Sequence, residues 1–141
     1  MRCLGLDLGS KTLGIAISDR TNFIASVYKT VFFKDEDYSS LIEPLREIIN
    51  NEDIGTLVLG LPKNMNNTLG TRAMITLDFK KILEEEFNLP VVLEDERLTS
   101  VISNNILISA NMSRNKRKKK VDGIAAEIIL QGYLDKMRKG N

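Results

Sequence analysis

The stretch Cys3-Leu-Gly-Leu-Asp-Leu-Gly-Ser-Lys-Thr-Leu-Gly-Ile-Ala-Ile-Ser-Asp19 decides the fold of this chain. Large and small residues alternate on both sides of its Gly-Ser-Lys turn, which predicts two strands joined as a hairpin. One face of this hairpin carries only bulky side chains, those of Leu4, Leu6, Leu8, Leu13, Ile15 and Ile17. The opposite face combines Asp7 with small residues, namely Cys3, Gly5, Gly14, Ala16 and Ser18. This small face can therefore receive another element at close range, such as a helix with few side chains of its own.

Asp7 lies at the end of the first strand, on the face that such a helix would cover. A carboxylate under a covering element is costly unless it is paired, hydrogen-bonded or bound to a metal. The remaining sequence therefore has to supply a partner for Asp7.

Composition limits both the fold and the chemistry. A chain of 141 residues can bury a substantial core, and we expect residues 1–141 to form a single domain. The lone cysteine, Cys3, excludes an internal disulfide, and the absence of histidine removes the usual general base. A net charge of +1 means that affinity for a polyanion has to come from local clusters. No signal peptide and no apolar run of spanning length are visible, so we expect a cytoplasmic protein without membrane contact.

Strands and helices alternate along the remaining sequence. Beyond the hairpin, we expect strands at about residues 23–33, 56–61 and 90–93. We expect helices after a capping box at Ser40-x-x-Glu43, from about Thr71 to Phe87, after a cap at Thr99 or Ser100, and from about Val121 to Met137. This order predicts an α/β fold with a five-stranded mixed sheet, a three-strand antiparallel meander plus parallel strands, and helices on both faces.

Phe32 and Phe33, at the end of the third predicted strand, have two interpretations. Exposed aromatic rings can stack on nucleic-acid bases. However, aromatic residues make up only 6% of the chain, and no basic residues interleave with these two. We therefore expect both rings in the hydrophobic core.

Acidic residues gather at one predicted edge of the sheet. Asp7 ends the first strand and the pair Asp95-Glu96 ends the last, and ligands of such sheets bind at the carboxyl ends of parallel strands. Asp122 lies on the first turn of the last predicted helix, whose Ala125-Ala126 pair suits the small face of the hairpin. Docking the helix there would bring Asp122 toward Asp7. Three carboxylates, those of Asp7, Glu96 and Asp122, would then converge.

Carboxylates that lie close together need a counter-charge to stay ionised. One or two hard cations such as Mg²⁺ or Mn²⁺ would supply it. Two such ions about 4 Å apart can activate water and stabilise the leaving oxygen of a phosphodiester, a mechanism that needs no histidine. Taken singly, the acids have simpler interpretations: Asp122 as a helix cap, Asp95-Glu96 as a polar strand end, and Asp19 and Glu84–Glu86 as solvated surface. Only the joint pattern favours a metal site.

A basic segment, Arg114-Asn-Lys-Arg-Lys-Lys-Lys120, comes shortly before Asp122. Such a segment would bind a phosphate backbone without reading its sequence. Its basic residues are Arg114, Lys116, Arg117, Lys118, Lys119 and Lys120. Further phosphate contacts are expected from loops near the same edge, at Lys11, Lys63, Arg72 and Arg97. The alternative, which is usual for runs of charge, is a solvated loop.

Four motifs resemble those of the YqgF family of RuvC-like nucleases. The first two are Gly5-Leu-Asp-Leu-Gly-Ser-Lys-x-x-Gly-x-Ala-x-Ser-Asp19 and Val58-Leu-Gly-Leu-Pro62 with Gly70. The last two are Asp95-Glu-Arg-Leu-Thr99 and Asp122-x-x-Ala-Ala-x-x-x-Leu-Gln-x-Tyr-Leu134. They occur in the family's order and together cover nearly the whole chain. The sequence departs from the family pattern at Thr12, Asn67, Ser100 and Gly123, and Thr12 replaces an arginine that could contact phosphate.

The resemblance implies a ribonuclease H-like fold in which Asp7, Glu96 and Asp122 are the catalytic, metal-binding acids. Family members are described as candidate Holliday junction resolvases and as nucleases that mature the 5′ end of the small-subunit ribosomal RNA precursor. We therefore expect a metal-dependent hydrolase of structured nucleic acid that processes the 5′ end of pre-16S rRNA in ribosome biogenesis, with the cleavage of branched DNA as the alternative. Association with the ribosome and a monomeric or weakly dimeric state are further expectations.

Two other functions remain open from the sequence. Actin-like ATPases and sugar kinases begin with a similar Asp-x-Gly hairpin, but they need two such lobes to close over ATP, and 141 residues provide one. A non-catalytic nucleic-acid-binding factor would keep the basic segment and carry the acids without using them.

Overall fold

The structure is a computed structural model that describes residues 1–34, 36–62, 70–95 and 114–139, and in the last of these ranges the side chains of residues 123–138 only. At its centre is a mixed sheet with the strand order β3-β2-β1-β4-β5. The strands are β1 (Arg2–Leu8), β2 (Thr12–Ser18), β3 (Ala25–Phe32), β4 (Ile54–Leu61) and β5 (Val91–Asp95). The first three form an antiparallel meander, and β4 and β5 run parallel to β1. The expected five-stranded mixed sheet is confirmed.

The described α-helices are α1 (Ile42–Asn51), α2 (Thr71–Phe87) and α3 (Arg114–Lys139). The bounds of α2 are those expected, and the helix ends where Asn88 takes a left-handed conformation with φ 53°. The helix expected after Thr99 or Ser100 lies outside the described residues. Among the helices that are described, none is both long and apolar enough to span a lipid bilayer.

The start of α1 differs from the predicted capping box. A 3₁₀ turn at Tyr38–Leu41 leads directly into the helix, and no side chain caps it. Ser40 is already part of that turn, so its hydroxyl donates to the carbonyl oxygen of Asp37 at 2.7 Å and does not accept from the helix. The capping box is therefore wrong, because the chain turns before the helix begins.

The start of α3 also differs, since the helix begins at Arg114 and not at Val121. The basic segment therefore forms about the first two turns of α3. Lysine and arginine are good helix formers, and the repulsion of like charges costs only a few tenths of a kcal/mol per pair. The prediction relied on apolar periodicity, which the basic turns lack. The alternative that the basic segment is a loop is therefore wrong, because the segment is helical.

The bulky face of the hairpin packs against α1 and α2. Its buried cluster contains Leu4, Leu6, Leu13 and Ile15 of the hairpin with Leu45 of α1 and Phe79 and Leu83 of α2. The small face packs against α3, where Cys3 and Ala16 are buried with Ala126, Ile129, Leu130 and Leu134. Helices therefore cover both faces of the sheet, as the sequence predicted.

Close approach of α3 to the sheet depends on Gly5. A Cβ atom at this position would lie 2.7 Å from the Cβ of Leu130 and 2.9 Å from the carbonyl oxygen of Ala126. Neither atom is the end of a flexible side chain, so the helix could admit the extra carbon only by moving. Ala126 is part of the buried cluster at this interface, and the neighbouring Ala125 is also buried. The prediction that the last helix docks on the small face is confirmed, with Ala126 at the contact.

Asp19 organises the connection between β2 and β3. Its carboxylate accepts the backbone N–H groups of Phe23 at 2.7 Å and Ile24 at 3.0 Å, and also the hydroxyl of Thr21. Asn22 adopts a left-handed conformation with φ 57°, which asparagine tolerates better than most residues. Asp19 is exposed, as expected of a surface acid, but sequence reasoning missed that its carboxylate satisfies three donors of its own loop.

Stability is expected to depend on the charge of Asp19. Hydrogen bonds to its carboxylate hold the pKa of Asp19 far below its usual range. The largest effect comes from the backbone N–H of Ile24, and smaller effects come from the hydroxyl of Thr21 and the backbone N–H of Phe23. Because the folded pKa is lower than the unfolded one, the stabilisation is present above about pH 4 and is lost as the pH falls toward the folded value. Asp19→Asn should therefore lower Tm at pH 7, and its difference from wild type should shrink below about pH 4.

Thermal unfolding followed by circular dichroism between neutral and acidic pH measures this difference. Glu85→Gln, a change at an exposed acid of α2, is the matched control and should leave Tm close to wild type. If the Tm of Asp19→Asn stayed below that of wild type by the same amount at all pH values, the charge of Asp19 would not be the source of the stabilisation.

Candidate active site

Asp7 lies at the carboxyl end of β1 and faces α3. It follows Cys3 and Gly5 on the small face, and its neighbour across the β1–β2 ladder is Gly14. Gly14 has no side chain, so this neighbour on β2 contributes only main-chain atoms beside Asp7. Asp7 is half-buried.

The contacts of α3 give its direction relative to β1. Ala126 and Leu130 lie over Gly5. Further along the helix, Leu134 lines a cavity together with Cys3, which is closer to the start of β1. The helix therefore runs antiparallel to β1, and its amino-terminal turns lie toward the carboxyl end of that strand.

This direction places the backbone of Asp122 near the level of Asp7. Four residues of helix, from Ala126 back to Asp122, rise by about 6 Å. Two residues of strand, from Gly5 forward to Asp7, cover about 7 Å in the same direction. The two positions are thus at similar heights along the β1–α3 interface. The side chain of Asp122 is outside the described part of the chain.

The acids at the end of β5 point to different faces. Glu94 faces α3, where both of its carboxylate oxygens accept from the Nζ of Lys136 at 3.0 Å. Asp95 is the next residue of the strand and therefore faces the opposite side. Glu96 and Arg97 lie outside the described residues.

Arg72 approaches the same edge from the other side of the sheet. From the first turn of α2, its Nη2 donates to the carbonyl oxygen of Leu8 at 2.9 Å. The guanidinium group therefore holds the main chain directly after Asp7. Sequence reasoning expected a phosphate contact here and missed this structural role, for which the sequence offers no signal.

The other predicted phosphate-binding residues are only partly described. Lys11 is exposed in the turn between β1 and β2. Lys63 lies outside the described residues. The main chain of the basic segment is described as part of α3, without its side chains, at Arg114, Lys116, Arg117, Lys118, Lys119 and Lys120. A role for these residues in binding nucleic acid stays a prediction.

Metal-binding groups can be judged only for part of the expected site. Among the described side chains, no group of three or more His, Cys, Asp or Glu residues could hold a metal ion. Two of the three expected ligands, Glu96 and Asp122, are not among those side chains. The three-carboxylate site therefore stays a prediction, and Asp7 is the one member whose side chain is among the described residues.

Phe32 and Phe33 have different environments. Phe33 packs against the core beside Tyr38, with ring centroids 5.5 Å apart. Phe32 is 61% exposed at the end of β3. The expectation that both rings are in the core is wrong for Phe32, because successive residues face opposite sides of a strand and β3 is at the edge of the sheet.

The strand order and the helices on both faces of the sheet define a ribonuclease H-like fold. RuvC of T. thermophilus, solved in complex with a Holliday junction substrate, superposes with a TM-score of 0.64 over 99% of this chain and 97% of its own, at 15% identity. This likeness concerns the fold alone. The chain belongs to the RuvX family, described as "Holliday junction resolvase", which matches residues 1–136. RuvX is the YqgF family, so the resemblance drawn from the four motifs is confirmed.

Curated relatives cover almost the whole chain. A protein of Geobacillus sp. (strain WCH70) is 49% identical over 135 residues, which is 96% of this chain and 98% of the relative. A protein of Bacillus subtilis (strain 168) is 47% identical over 137 residues, covering 97% and 99%. Both carry the name "Putative pre-16S rRNA nuclease".

Proposed function

We propose that this protein is a metal-dependent nuclease that hydrolyses phosphodiester bonds of structured nucleic acid, and that its substrate is the 5′ region of pre-16S rRNA. The observation that carries the proposal is the docking of α3 at Gly5, which brings the backbone of Asp122 to the level of Asp7. The names of relatives that are nearly half identical over their whole length support the RNA substrate. We further propose that it acts in the cytoplasm on ribosomal precursors, as a monomer or weak homodimer.

The donor chemistry of the proposed site fits a hard divalent cation. Asp7, Glu96 and Asp122 would offer carboxylate oxygens, the ligands that Mg²⁺ and Mn²⁺ prefer. Glu94 faces α3, whereas Asp95 faces the opposite side of β5, away from Asp7 and α3. This favours Glu96 over Asp95 as the ligand from β5. Such cations, when bound, supply activation of water and stabilisation of the charge that develops on a phosphodiester.

The other residues of the site would orient the substrate. In this proposal the carboxylates of Asp7, Glu96 and Asp122 would hold the cations. Arg72 keeps that strand end in place through its hydrogen bond to Leu8. The basic first turns of α3, which lead toward Asp122, bind the phosphate backbone beside the bond to be cut.

A second candidate function is the cleavage of Holliday junctions, which the description of the RuvX family favours. A four-way junction is two-fold symmetric, so its resolution would require two active sites in a dimer. A strictly monomeric protein would count against this role.

The test incubates purified protein with a 5′-extended 16S rRNA precursor and, separately, with a four-way DNA junction, in Mg²⁺, in Mn²⁺ and in a chelator. We expect shortening of the RNA with either cation and none in the chelator. Cutting of the junction alone would favour the second candidate. Binding without cleavage of either substrate would leave a non-catalytic factor as the function.

The basic turns of α3 are expected to set the salt dependence of binding. Each phosphate contact contributes about 0.7–0.9 to the slope of log K against log salt concentration. Changing Lys118 and Lys119 together to glutamine, which preserves helix propensity, should weaken binding and flatten the slope by about one to two. Fluorescence anisotropy of a labelled RNA at several salt concentrations measures both the affinity and the slope.

The matched control changes Lys80 and Lys81 of α2 to glutamine. These two lysines lie outside the proposed binding surface, so the slope should stay at its wild-type value. If the two double variants had equal slopes of log K against log salt concentration, the basic segment would not bind the phosphate backbone and would serve solubility instead.

A further inference from the structure

Directional contacts between α3 and the sheet lie on both flanks of the helix. On one flank, the Oε1 of Gln131 accepts from the backbone N–H of Ala25 at 2.8 Å, and its Nε2 donates to the carbonyl oxygen of Phe23 at 3.1 Å. On the other flank, the Nζ of Lys136 donates to both carboxylate oxygens of Glu94 on β5, at 3.0 Å. We call the contacts of Gln131 the β3 anchor and the pair of Lys136 and Glu94 the β5 anchor.

The helical period places the sheet-facing stripe of α3 between the two anchors. Each residue turns an α-helix by about 100°, so Gln131 and Lys136 are about 220° apart when measured across the side that faces the sheet. Ala126 and Leu130, which contact β1, lie within this arc. The Cα of Asp122 comes four residues before Ala126 and is about 40° from it on the same stripe. The anchors therefore hold α3 on either side of the stripe that includes Asp122.

The apolar contacts of this interface constrain the rotation of α3 about its axis less than the anchors do. They involve small and aliphatic side chains, such as those of Ala126, Ile129 and Leu130, and hydrophobic attraction has no preferred direction. Hydrogen bonds, in contrast, weaken steeply with distance and angle. A rotation of about 10° moves an atom that is about 5 Å from the helix axis by about 1 Å. Such a movement would break either anchor.

The β5 anchor differs from an ordinary surface ion pair because its acid is buried. The side chain of Glu94 is 10% exposed, whereas that of Lys136 is 69% exposed. Gly132 of α3 lies beside the same carboxylate, since a Cβ atom there would be 3.6 Å from its Oε2. Removal of the partner of a buried carboxylate is much more costly than removal of one member of a surface pair. Lys136 therefore holds the end of α3 firmly to β5.

We propose that Gln131 and Lys136 are positioning residues of the nuclease, which fix the rotation of α3 so that Asp122 is directed toward the metal site at Asp7. This inference rests on the proposed function and deepens it. Both residues act through the helix, from about 14 and 21 Å along its axis, and neither would touch the metal or the nucleic acid. A misplacement of about 1 Å at a reacting group can reduce a rate about a hundred-fold.

The β5 anchor allows positioning to be separated from stability. Lys136→Met leaves a buried carboxylate without its partner, so Tm and Mn²⁺ affinity should both fall. Adding Glu94→Gln removes both charges, which should return Tm toward wild type while the anchor stays broken. We expect this double variant to bind Mn²⁺ about ten- to a hundred-fold more weakly than wild type, the range for residues that orient metal ligands. A merely structural pair predicts that Mn²⁺ affinity recovers together with Tm.

The β3 anchor is tested by Gln131→Glu, which keeps the shape of the side chain. The change removes the donor and places an anionic oxygen beside the carbonyl oxygen of Phe23. Mn²⁺ affinity, measured by electron paramagnetic resonance of the free ion without nucleic acid, should fall by a similar factor, and single-turnover cleavage should slow. Lys136→Arg keeps the ion pair, and Lys81→Met changes an exposed lysine of α2. Both controls should bind Mn²⁺ like wild type.

Cys3 provides a readout that does not depend on metal. It is the only cysteine of the chain, and it is buried in the cluster beneath α3. Looser docking of α3 should let dithiobis(nitrobenzoic acid) modify this thiol several-fold faster, at temperatures well below Tm. We expect this in Gln131→Glu and in the double variant at Glu94 and Lys136, and not in Lys81→Met.

The outcomes separate this inference from the nuclease function. Wild-type Mn²⁺ affinity in Gln131→Glu or in the double variant at Glu94 and Lys136 would overturn the proposal and leave the nuclease standing. A wild-type protein that neither binds Mn²⁺ nor cleaves would refute the nuclease. Faster modification of Cys3 in the two variants would then still show that the anchors hold α3, and an unchanged rate would refute the anchors as well.

Discussion

Gly5→Ala is expected to lower the free energy of unfolding by about 1–3 kcal/mol, although alanine usually stabilises a strand relative to glycine by about 0.5–1 kcal/mol. The added carbon would lie 2.7 Å from the Cβ of Leu130 and 2.9 Å from the carbonyl oxygen of Ala126. This steric clash can be relieved only if α3 shifts as a unit. Urea unfolding followed by circular dichroism measures the change.

Gly132→Ala is the matched control on the same helix. A Cβ atom there would lie 3.6 Å from the Oε2 of Glu94, an ordinary contact. In the helix interior, alanine is more favourable than glycine by about 0.8–1.0 kcal/mol, so this variant should be more stable than wild type. Effects of the same sign in the two variants would contradict the packing described for Gly5.

Asp7→Asn is expected to reduce cleavage by about a thousand-fold or more and to leave the fold and RNA binding intact. Asparagine has nearly the same shape, but it removes one of the anionic oxygens on which the proposed metal site depends. A loss of several kcal/mol in stabilisation of the transition state corresponds to this factor, at about 1.4 kcal/mol per tenfold change in rate. Single-turnover cleavage of the precursor and anisotropy of the bound RNA measure rate and affinity separately.

Asp95→Asn is the control for this experiment, because Asp95 lies on the opposite face of β5. This variant should cleave the precursor at the wild-type rate. Glu96→Gln should resemble Asp7→Asn. Wild-type cleavage by Asp7→Asn, or an Asp95→Asn variant as slow as Asp7→Asn, would refute the proposed set of ligands.

The parts of the fold that follow from residue periodicity could be predicted. Alternation of large and small residues assigns each hairpin side chain to one of two faces, and the glycine and alanine positions identify which face a helix covers. The end of α2 carries a local signal, since Asn88 suits the left-handed conformation that stops it. These properties depend on near neighbours in the chain or on one simple packing rule.

Features that depend on distant contacts could not be predicted. Arg72 reaches Leu8 across the sheet edge, and no local pattern indicates that hydrogen bond. The exposure of Phe32 follows from the position of β3 at the edge, which composition does not reveal. Of the candidate site, the sequence correctly predicted that Asp7 lies on the sheet face against which α3 packs, and its role as a metal ligand stays a prediction. The network around Asp19 is local, but it was missed because two of its three donors are backbone N–H groups, which leave no residue-specific pattern in the sequence.

The contact between Gly5 and α3 also has a consequence for the order of folding. Asp7 and Asp122 are separated by most of the chain, so joining them closes a long loop and carries the entropy cost of non-local pairing. The hairpin can form early from local contacts, whereas α3 follows every other described element. A chain still emerging from the ribosome would hold Asp7 on an uncovered surface, with its partner helix not yet made. The proposed nuclease would thus become competent only after α3 has been synthesised and has docked, and a nascent chain without α3 could not cut the RNA around it.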